Sequence, residues 1–399
     1  MDSIEIRPAI HRDELECAFD IWGTVFPEER SFFQKRLDFD PDYTLDTTWL
    51  ALINGQIVSA VQIFPYRMYW GSVFLKVGGI GNVATLPEYR GLGLAKRILR
   101  MQCEYMRKNE FDLSLLLTGI NSFYSRIGWQ TIPRQEWTVD AAVIRKSAHS
   151  TLHLIRTFDE KDLGQVSQIY DEINSRWIAP MKRSKAYWIG QMKWETANPG
   201  HFLVMEEQGR ILAYMRYVLN GNELRIRDCC YREENEQEAL NLLSFILAKE
   251  QQVESVRAEL PSDHVMAVFF RKIGGQPKTD NGYMWRMFDL NETLRKLAPE
   301  LSKRICKSRL SSEADLSVAL LLGVGNQLSL LKISHEAVEV QPVREPIAYN
   351  LAIDLTEEEW LRILLTGCGA FGKPTRAGYE YIRVLFPDCP HVFWHADHF

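Results

Sequence analysis

Two short runs hold the residue types that can do chemistry. The first is Arg90-Gly91-Leu92-Gly93-Leu94-Ala95-Lys96, two glycines and an alanine placed where a helix begins. Such a turn points several backbone N–H groups, and the positive end of a helix dipole, at one point in space. Small residues let a ligand's phosphates approach the backbone, and Arg90 adds charge, so the run reads as a pyrophosphate cradle. The competing reading is a strand-to-helix turn that needs glycine only for its backbone angles. A dinucleotide fingerprint is absent, since there is no Gly-x-Gly-x-x-Gly and no acidic residue after a second strand.

The second run is Thr118-Gly119-Ile120-Asn121-Ser122-Phe123-Tyr124. A phenol of pKa ~10 holds its proton at neutral pH and can deliver it to a leaving group such as a thiolate. Spacing alone favours the plainer role, a half-buried tyrosine.

These runs need elements to position them. Val77 to Leu86 is β-rich and apolar and stops at Pro87. Leu94, Ile98, Met101 and Tyr105 then recur at helical spacing and predict one buried stripe. Phe111 to Leu117 alternates as a strand and leads directly into the tyrosine run. Upstream, Ile4 to Arg7 reads as a strand and Asp13 to Val25 as a helix, with Phe19, Trp22 and Phe26 on one face. Trp49 to Ile53 and Ile57 to Ile63 flank Asn54-Gly55, the strongest short hairpin signal.

The pattern recurs. His201 to Met205, Gln208-Gly209 and Ile211 to Tyr217 repeat the hairpin, and Phe269-Phe270-Arg271-Lys272-Ile273-Gly274 echoes Phe123-Tyr124-Ser125-Arg126-Ile127-Gly128. In the second copy Phe270 replaces Tyr124, and no glycine occurs between Gly221 and Gly274. It is expected to keep the scaffold without the chemistry, walling one side of a substrate cleft. The joint between the copies is placed in Lys146 to Thr151. Beyond Arg286 the texture changes to a helix from Leu290 to Leu297, strand-like runs at Asp315–Leu322, Gln327–Ile333 and Ala337–Val340, and Thr356-Glu357-Glu358-Glu359, a capping box opening a helix to Thr366.

Composition narrows the function. The 399 residues suffice for two or three domains. A net charge of −5 argues against a nucleic-acid binder, which needs a concentrated basic face. Seven cysteines without CxxC spacing suggest free thiols in a reducing compartment. No apolar run approaches ~20 residues, the span of a bilayer, and the charged first residues lack the apolar segment of a signal peptide. A cytoplasmic protein without a membrane span is expected.

The first run resembles the pyrophosphate loop of the GCN5-related N-acetyltransferases (GNATs), Arg/Gln-x-x-Gly-x-Gly/Ala, matched at Arg90, Gly93 and Ala95 and preceded by the strand Val83-Ala84-Thr85. The whole chain, two such units of which only the first has the loop and then an α+β part, resembles the Eis (enhanced intracellular survival) family. That resemblance implies a mixed α/β and α+β fold. Residues 1–150 would be a catalytic GNAT domain, 151–285 a degenerate one, and 286–399 a domain like a sterol carrier protein. It implies acetyl-CoA as co-substrate, held by Val83, Ala84 and Thr85, by Arg90, Gly91, Leu92, Gly93, Leu94, Ala95 and Lys96, and by Gly119 and Ile120. Tyr124 would be the general acid. Phe399, the last residue, would bring its free α-carboxylate to the active site as base. A carboxyl of pKa near 3.5 facing an alkylammonium near 10 makes direct proton removal uphill by roughly 9 kcal/mol, so orienting the ammonium describes that role equally well. The implied acceptors are amines of the aminoglycoside, polyamine or lysine kind, and the implied assembly is a homohexamer of two trimers.

Departures from the family pattern concern the substrate more than the reaction. The loop has fewer arginines than is common, Gly119 replaces a side chain that can bond the cofactor, and Asn82 stands where an aromatic is frequent. Cys389, His391, His395, Asp397 and His398 invite a metal reading; were the tail a strand, the last four odd-numbered positions from His391 to Asp397 would share a face with Phe399. No metal is expected, because zinc ligands usually come as two separated pairs. Cys17 and Cys103 fall in helices and read as packing residues. A different class of function, a non-catalytic binder with an apolar ligand in the C-terminal domain, predicts stabilisation by lipid instead of coenzyme A.

Overall fold

A computed structural model describes residues 3–147, 154–195, 198–312, 316–343, 347–371 and 377–399. Of the expected joint between the copies, residues 148–151 lie outside the described residues, as does Asp315 at the start of one expected strand. Three sheets organise the chain.

The first sheet begins as expected: Ile4–Pro8, the helix Asp13–Val25, then Thr48–Ile53 and Gln56–Trp70 joined through Asn54 and Gly55 at φ +50° and +84°. Val73–Thr85 follows antiparallel, and Leu113–Leu117 pairs parallel beside it. The helix Leu94–Lys108 packs across this sheet, but its buried side is not the expected stripe. Leu94 and Ile98 are buried together with Leu99, Gln102, Cys103 and Met106, whereas Met101 is 37% exposed and Tyr105 only half-buried. A buried polar residue caused the difference: Gln102 donates from Nε2 to the Val61 carbonyl at 3.2 Å, so a polar position belongs to the inner face.

The second sheet contains Leu154–Thr157, Phe202–Glu207, Arg210–Asn220, Glu223–Tyr231 and Ser255–Ala258. Two exchanges join it to the first. After Gln130–Thr131 the chain leaves the first sheet, and Arg134–Asp140 inserts into the second between Ser255–Ala258 and Pro277–Asp280. Tyr283–Met287 then returns to the first sheet between Leu113–Leu117 and Gln130–Thr131. The sheets therefore interleave the contiguous ranges read from the chain, because edge backbone groups are satisfied by whichever strand lies alongside.

The third sheet, ordered Val338–Pro342, Gln327–Ser334, Ser317–Val324, Leu351–Leu355, is backed by Leu290–Cys306, Glu357–Thr366 and Tyr379–Leu385. The capping box forms, with the Thr356 hydroxyl accepting from Glu359 N at 3.1 Å and Glu359 accepting from Thr356 N at 2.7 Å. The core of this part is continuous with that of the first sheet. No described helix is long and apolar enough to cross a membrane, and the seven cysteines are free thiols.

His264 sits where the second sheet meets the C-terminal tail, among Trp177, Tyr231 and Trp394. Its Nδ1 caps the helix Val265–Lys272 by accepting from Met266 N, and Nε2 lies 3.2 Å from the Cys229 carbonyl, an arrangement that requires a neutral ring. Burial lowers its pKa from 6.5 to about 4. The unfolded chain therefore takes up this proton first as pH falls, and stability is lost between those two values. The melting temperature is expected to drop between pH 7 and pH 5, and His264→Asn, which keeps a capping acceptor, should flatten that drop; an unchanged slope would remove His264 from the account.

Candidate active site

The parallel pairing of Val73–Thr85 with Leu113–Leu117 runs from Val77/Leu113 to Ile80/Leu116 and stops. Val73–Thr85 goes on, paired only with Gln56–Trp70, and its register shifts so that Gly81 faces Gln62 while Ala84 faces Ala60. Asn82 and Val83 thus bulge opposite Val61, with Asn82 at φ +52°. Extra residues in one strand bend it and interrupt its ladder. The Gln102 amide takes up the Val61 carbonyl, and the Trp22 indole donates to the Ala60 carbonyl at 3.2 Å, so helices on both faces hold the bulge. A split opens between the two parallel strands. Backbone amides along such a split can polarise an acyl carbonyl.

The glycine turn closes one end of it. Gly91 and Gly93 have φ of +83° and +71°, and a Cβ at either would meet nothing within 4 Å. These glycines are therefore needed for conformation, not for room. Gly93 is the N-cap of Leu94–Lys108 and offers no side-chain acceptor; the first helical bond runs from Arg97 N to the Gly93 carbonyl. Among the described residues the amides of Leu94, Ala95 and Lys96 have no acceptor, and they converge on the helix end. Arg90 steadies the turn from Nε to the Thr85 carbonyl at 3.3 Å.

A groove of about 400 Å³ joins these parts. It is lined by Val83, Ala84, Thr85, Arg90, Gly91, Gly93, Leu94, Ala95, Lys96, Ile120 and Tyr124, all singled out in the sequence. Leu92 (54% exposed) and Gly119 do not line it. Val25, Tyr89 and Phe123 do, and were missed; Phe123, adjacent to Tyr124, gave the one available signal.

Tyr124 lies on the short helix Asn121–Ser125, just past Leu113–Leu117. Phe123 and Trp129 pack edge-on against its ring. The hydroxyl has no hydrogen-bond partner among the described residues, and burial raises its pKa to about 12. It stays a protonated donor facing the groove.

The tail approaches from the opposite face of the same strand. Gly78 makes room for Met106 of the helix, whereas a Cβ at Gly79 would lie 2.7 Å from the Phe399 ring and one at Gly81 3.0 Å. Phe64 and Tyr66 flank that ring, at 5.2 and 5.7 Å between centroids. The Phe399 carboxylate has no ion-pair partner among the described residues. The tail is not a strand: it makes one bridge, Ile178 with His391, and a single turn at His395–Asp397.

Two family models, each described as an acetyltransferase (GNAT) domain, match residues 5–132 and 179–287, together more than half of the chain. The chain belongs to the GCN5-related N-acetyltransferases. It is an N-acetyltransferase built from tandem GNAT units. Its fold is similar to that of a probable N-acyltransferase from Enterococcus faecalis (TM-score 0.77, 16% identity). It is likewise similar to a GCN5-related N-acetyltransferase from Anabaena variabilis (0.74, 14%) and to Eis1 from Mycobacterium abscessus (0.64, 12%). Each likeness covers 100% of both chains. No curated protein matches in a sequence search.

The second GNAT unit repeats the split. Glu223–Tyr231 and Ser255–Ala258 pair in parallel only as far as Ile226/Ala258. The turn before its helix Gln237–Lys249 carries Glu233, Glu234 and Glu236, with Glu238 in the first helical turn, charges that repel a phosphate. Here the tail takes hold of both sides of the opening. Arg183 donates to Asp228 at 2.5 Å and makes a two-pronged contact with Asp397 at 2.9 and 2.8 Å, all three side chains fully buried. On the other side Glu259 lies 3.3 Å from His398 Nε2, which is also 2.6 Å from the Tyr283 hydroxyl. Burial would raise the Asp228 carboxyl, but Arg216 and Arg183 reverse this and hold it at about 2. Gln191 donates to the Ala396 carbonyl at 2.6 Å, and Trp394 to Asn174 at 2.7 Å.

Asp397→Asn leaves the Arg183 charge one partner short in the interior, which should cost about 3 kcal/mol. Thermal melting together with faster hydrogen exchange in residues 390–399 would register it; an unchanged melting point would show that the pair is not what secures the tail.

Proposed function

We propose that the chain transfers the acetyl group of acetyl-CoA directly to a primary amine, of the aminoglycoside, polyamine or lysine kind. The groove carries this reading. It brings the split strand Val83–Thr85, the open amides of residues 94–96, Arg90 and the Tyr124 hydroxyl around one space. In this reading the coenzyme's pyrophosphate rests on the helix N-terminus and its thioester lies in the split. The amine nitrogen attacks the carbonyl carbon, the C–S bond breaks, and the departing thiolate is hydrogen-bonded by the Tyr124 hydroxyl while the proton shed by the attacking nitrogen is relayed to it.

Magnitudes constrain the timing. A phenol near pKa 12 is a weaker acid than a thiol near 8.5, so handing its proton outright to the released thiolate is uphill by roughly 5 kcal/mol. The hydroxyl therefore acts by hydrogen bonding to the growing charge, and the proton released from the new ammonium completes the balance. The Phe399 carboxylate orients the incoming alkylammonium and accepts, directly or through water, the separate proton that must leave it before the nitrogen can attack. Its lack of an ion-pair partner supports this role, as do the aromatic faces of Phe64, Tyr66 and Phe393 around it, which attract cations.

Coenzyme A release measured over an amine panel tests the reaction. Tyr124→Phe is expected to lower kcat by about 10²- to 10⁴-fold with coenzyme affinity intact, and unchanged turnover would refute the acid role. A peptide extension beyond Phe399 should abolish turnover while leaving coenzyme binding unaltered; full activity would reject the carboxylate.

A further inference from the structure

A second cavity, also about 400 Å³, lies where the two exchanged strands, the tail and the C-terminal part meet. Its walls are Trp137 of Arg134–Asp140, Tyr283 and Trp285 of the returning strand, and Phe393 of the tail. The size is that of a small-molecule pocket, and these aromatic side chains supply flat apolar wall within a mixed lining.

Two polar groups stand out against these walls. His391 lines the cavity and has no hydrogen-bond partner among the described residues. Burial lowers its pKa to about 4, so the ring is neutral and offers one donor and one acceptor. Arg271, at the exposed rim, donates to the Ser262 and Ala267 carbonyls but has no carboxylate within 4 Å among the described residues. Arg134, by contrast, is neutralised by Glu259 and Asp280. The one further carboxylate of the lining, Asp388, is engaged by the Gly369 amide. Ala179 in the wall is held at φ +80°, fixed by the bonds of its neighbour Ile178 to Pro390 and Val392 at 3.1 and 3.0 Å. Such strain persists only where the surroundings over-determine it.

We propose that this cavity binds a flat aromatic molecule bearing one anionic group, its ring among the tryptophans, His391 hydrogen-bonded to it and the anion at Arg271. The site is separate from the acyl-transfer groove and does not rest on the acceptor proposed above. It does adjoin the tail: Phe393 stacks on His398 with centroids 5.5 Å apart and touches the Phe399 ring at 6.2 Å. An occupant therefore stiffens the segment that ends in the active site.

The probe is 1-anilinonaphthalene-8-sulfonate, titrated by fluorescence into the full chain with and without saturating coenzyme A. One saturable site per chain is expected, undisturbed by coenzyme A. Arg271→Gln, at the exposed rim, should weaken it about tenfold through loss of a charge-assisted contact. Ser262→Trp, also exposed, should close the mouth and abolish binding. Circular dichroism melting verifies that both variants fold. Absence of saturable binding, displacement by coenzyme A, or binding that survives Ser262→Trp would overturn the site, and unchanged affinity in Arg271→Gln would overturn the anion.

Discussion

A buried guanidinium, Arg183, stands between two buried carboxylates, Asp228 of the second unit and Asp397 of the tail. Removing these charges from water costs several kcal/mol per ion, so the cluster holds only because each member is closely bonded. Arg216 closes the set through Asp228 at 2.6 and 2.8 Å. This requirement for full satisfaction leaves the tail one position. Two residues further on, the Phe399 ring packs against Gly79 and Gly81 of Val73–Thr85. A geometric demand in the second unit is thus delivered to the first.

The two units show how one scaffold takes different contents. Both splits arise because parallel pairing ends after four residues while one strand continues. In the first, glycines at positive φ leave a helix N-terminus open, and a phenol just past the end of the facing strand lines the same groove. In the second, glutamates occupy the turn, Phe270 replaces the phenol, and side chains beside the split grip the tail. The scaffold recurs, and its second opening holds the segment around Asp397 and His398.

Polar residues inside apolar faces do much of the positioning. Gln102 interrupts an otherwise aliphatic helix face because the bulge leaves a carbonyl that needs a donor. The glycines of Val73–Thr85 divide by face, Gly78 toward the helix and Gly79 and Gly81 toward the tail, so their absent side chains are filled from both directions.

Local features were legible in the sequence because their causes are local. Asn54-Gly55, the Thr356 capping box, the helix from Asp13 to Val25, the glycine turn and the run leading to Tyr124 each depend on residues within a few positions, and each stands where read. What the second unit lacks was equally visible, a glycine turn and the hydroxyl that Phe270 replaces. What needed the tertiary structure was every pairing across long separations: the exchange of Arg134–Asp140 and Tyr283–Met287 between sheets, the burial of Gln102 in the inner face of Leu94–Lys108 against the Val61 carbonyl, and the capture of Asp397 by Arg183 across 214 residues. Strand edges and buried charges specify the kind of partner they require, not its place in the chain, and only folding chooses among the candidates.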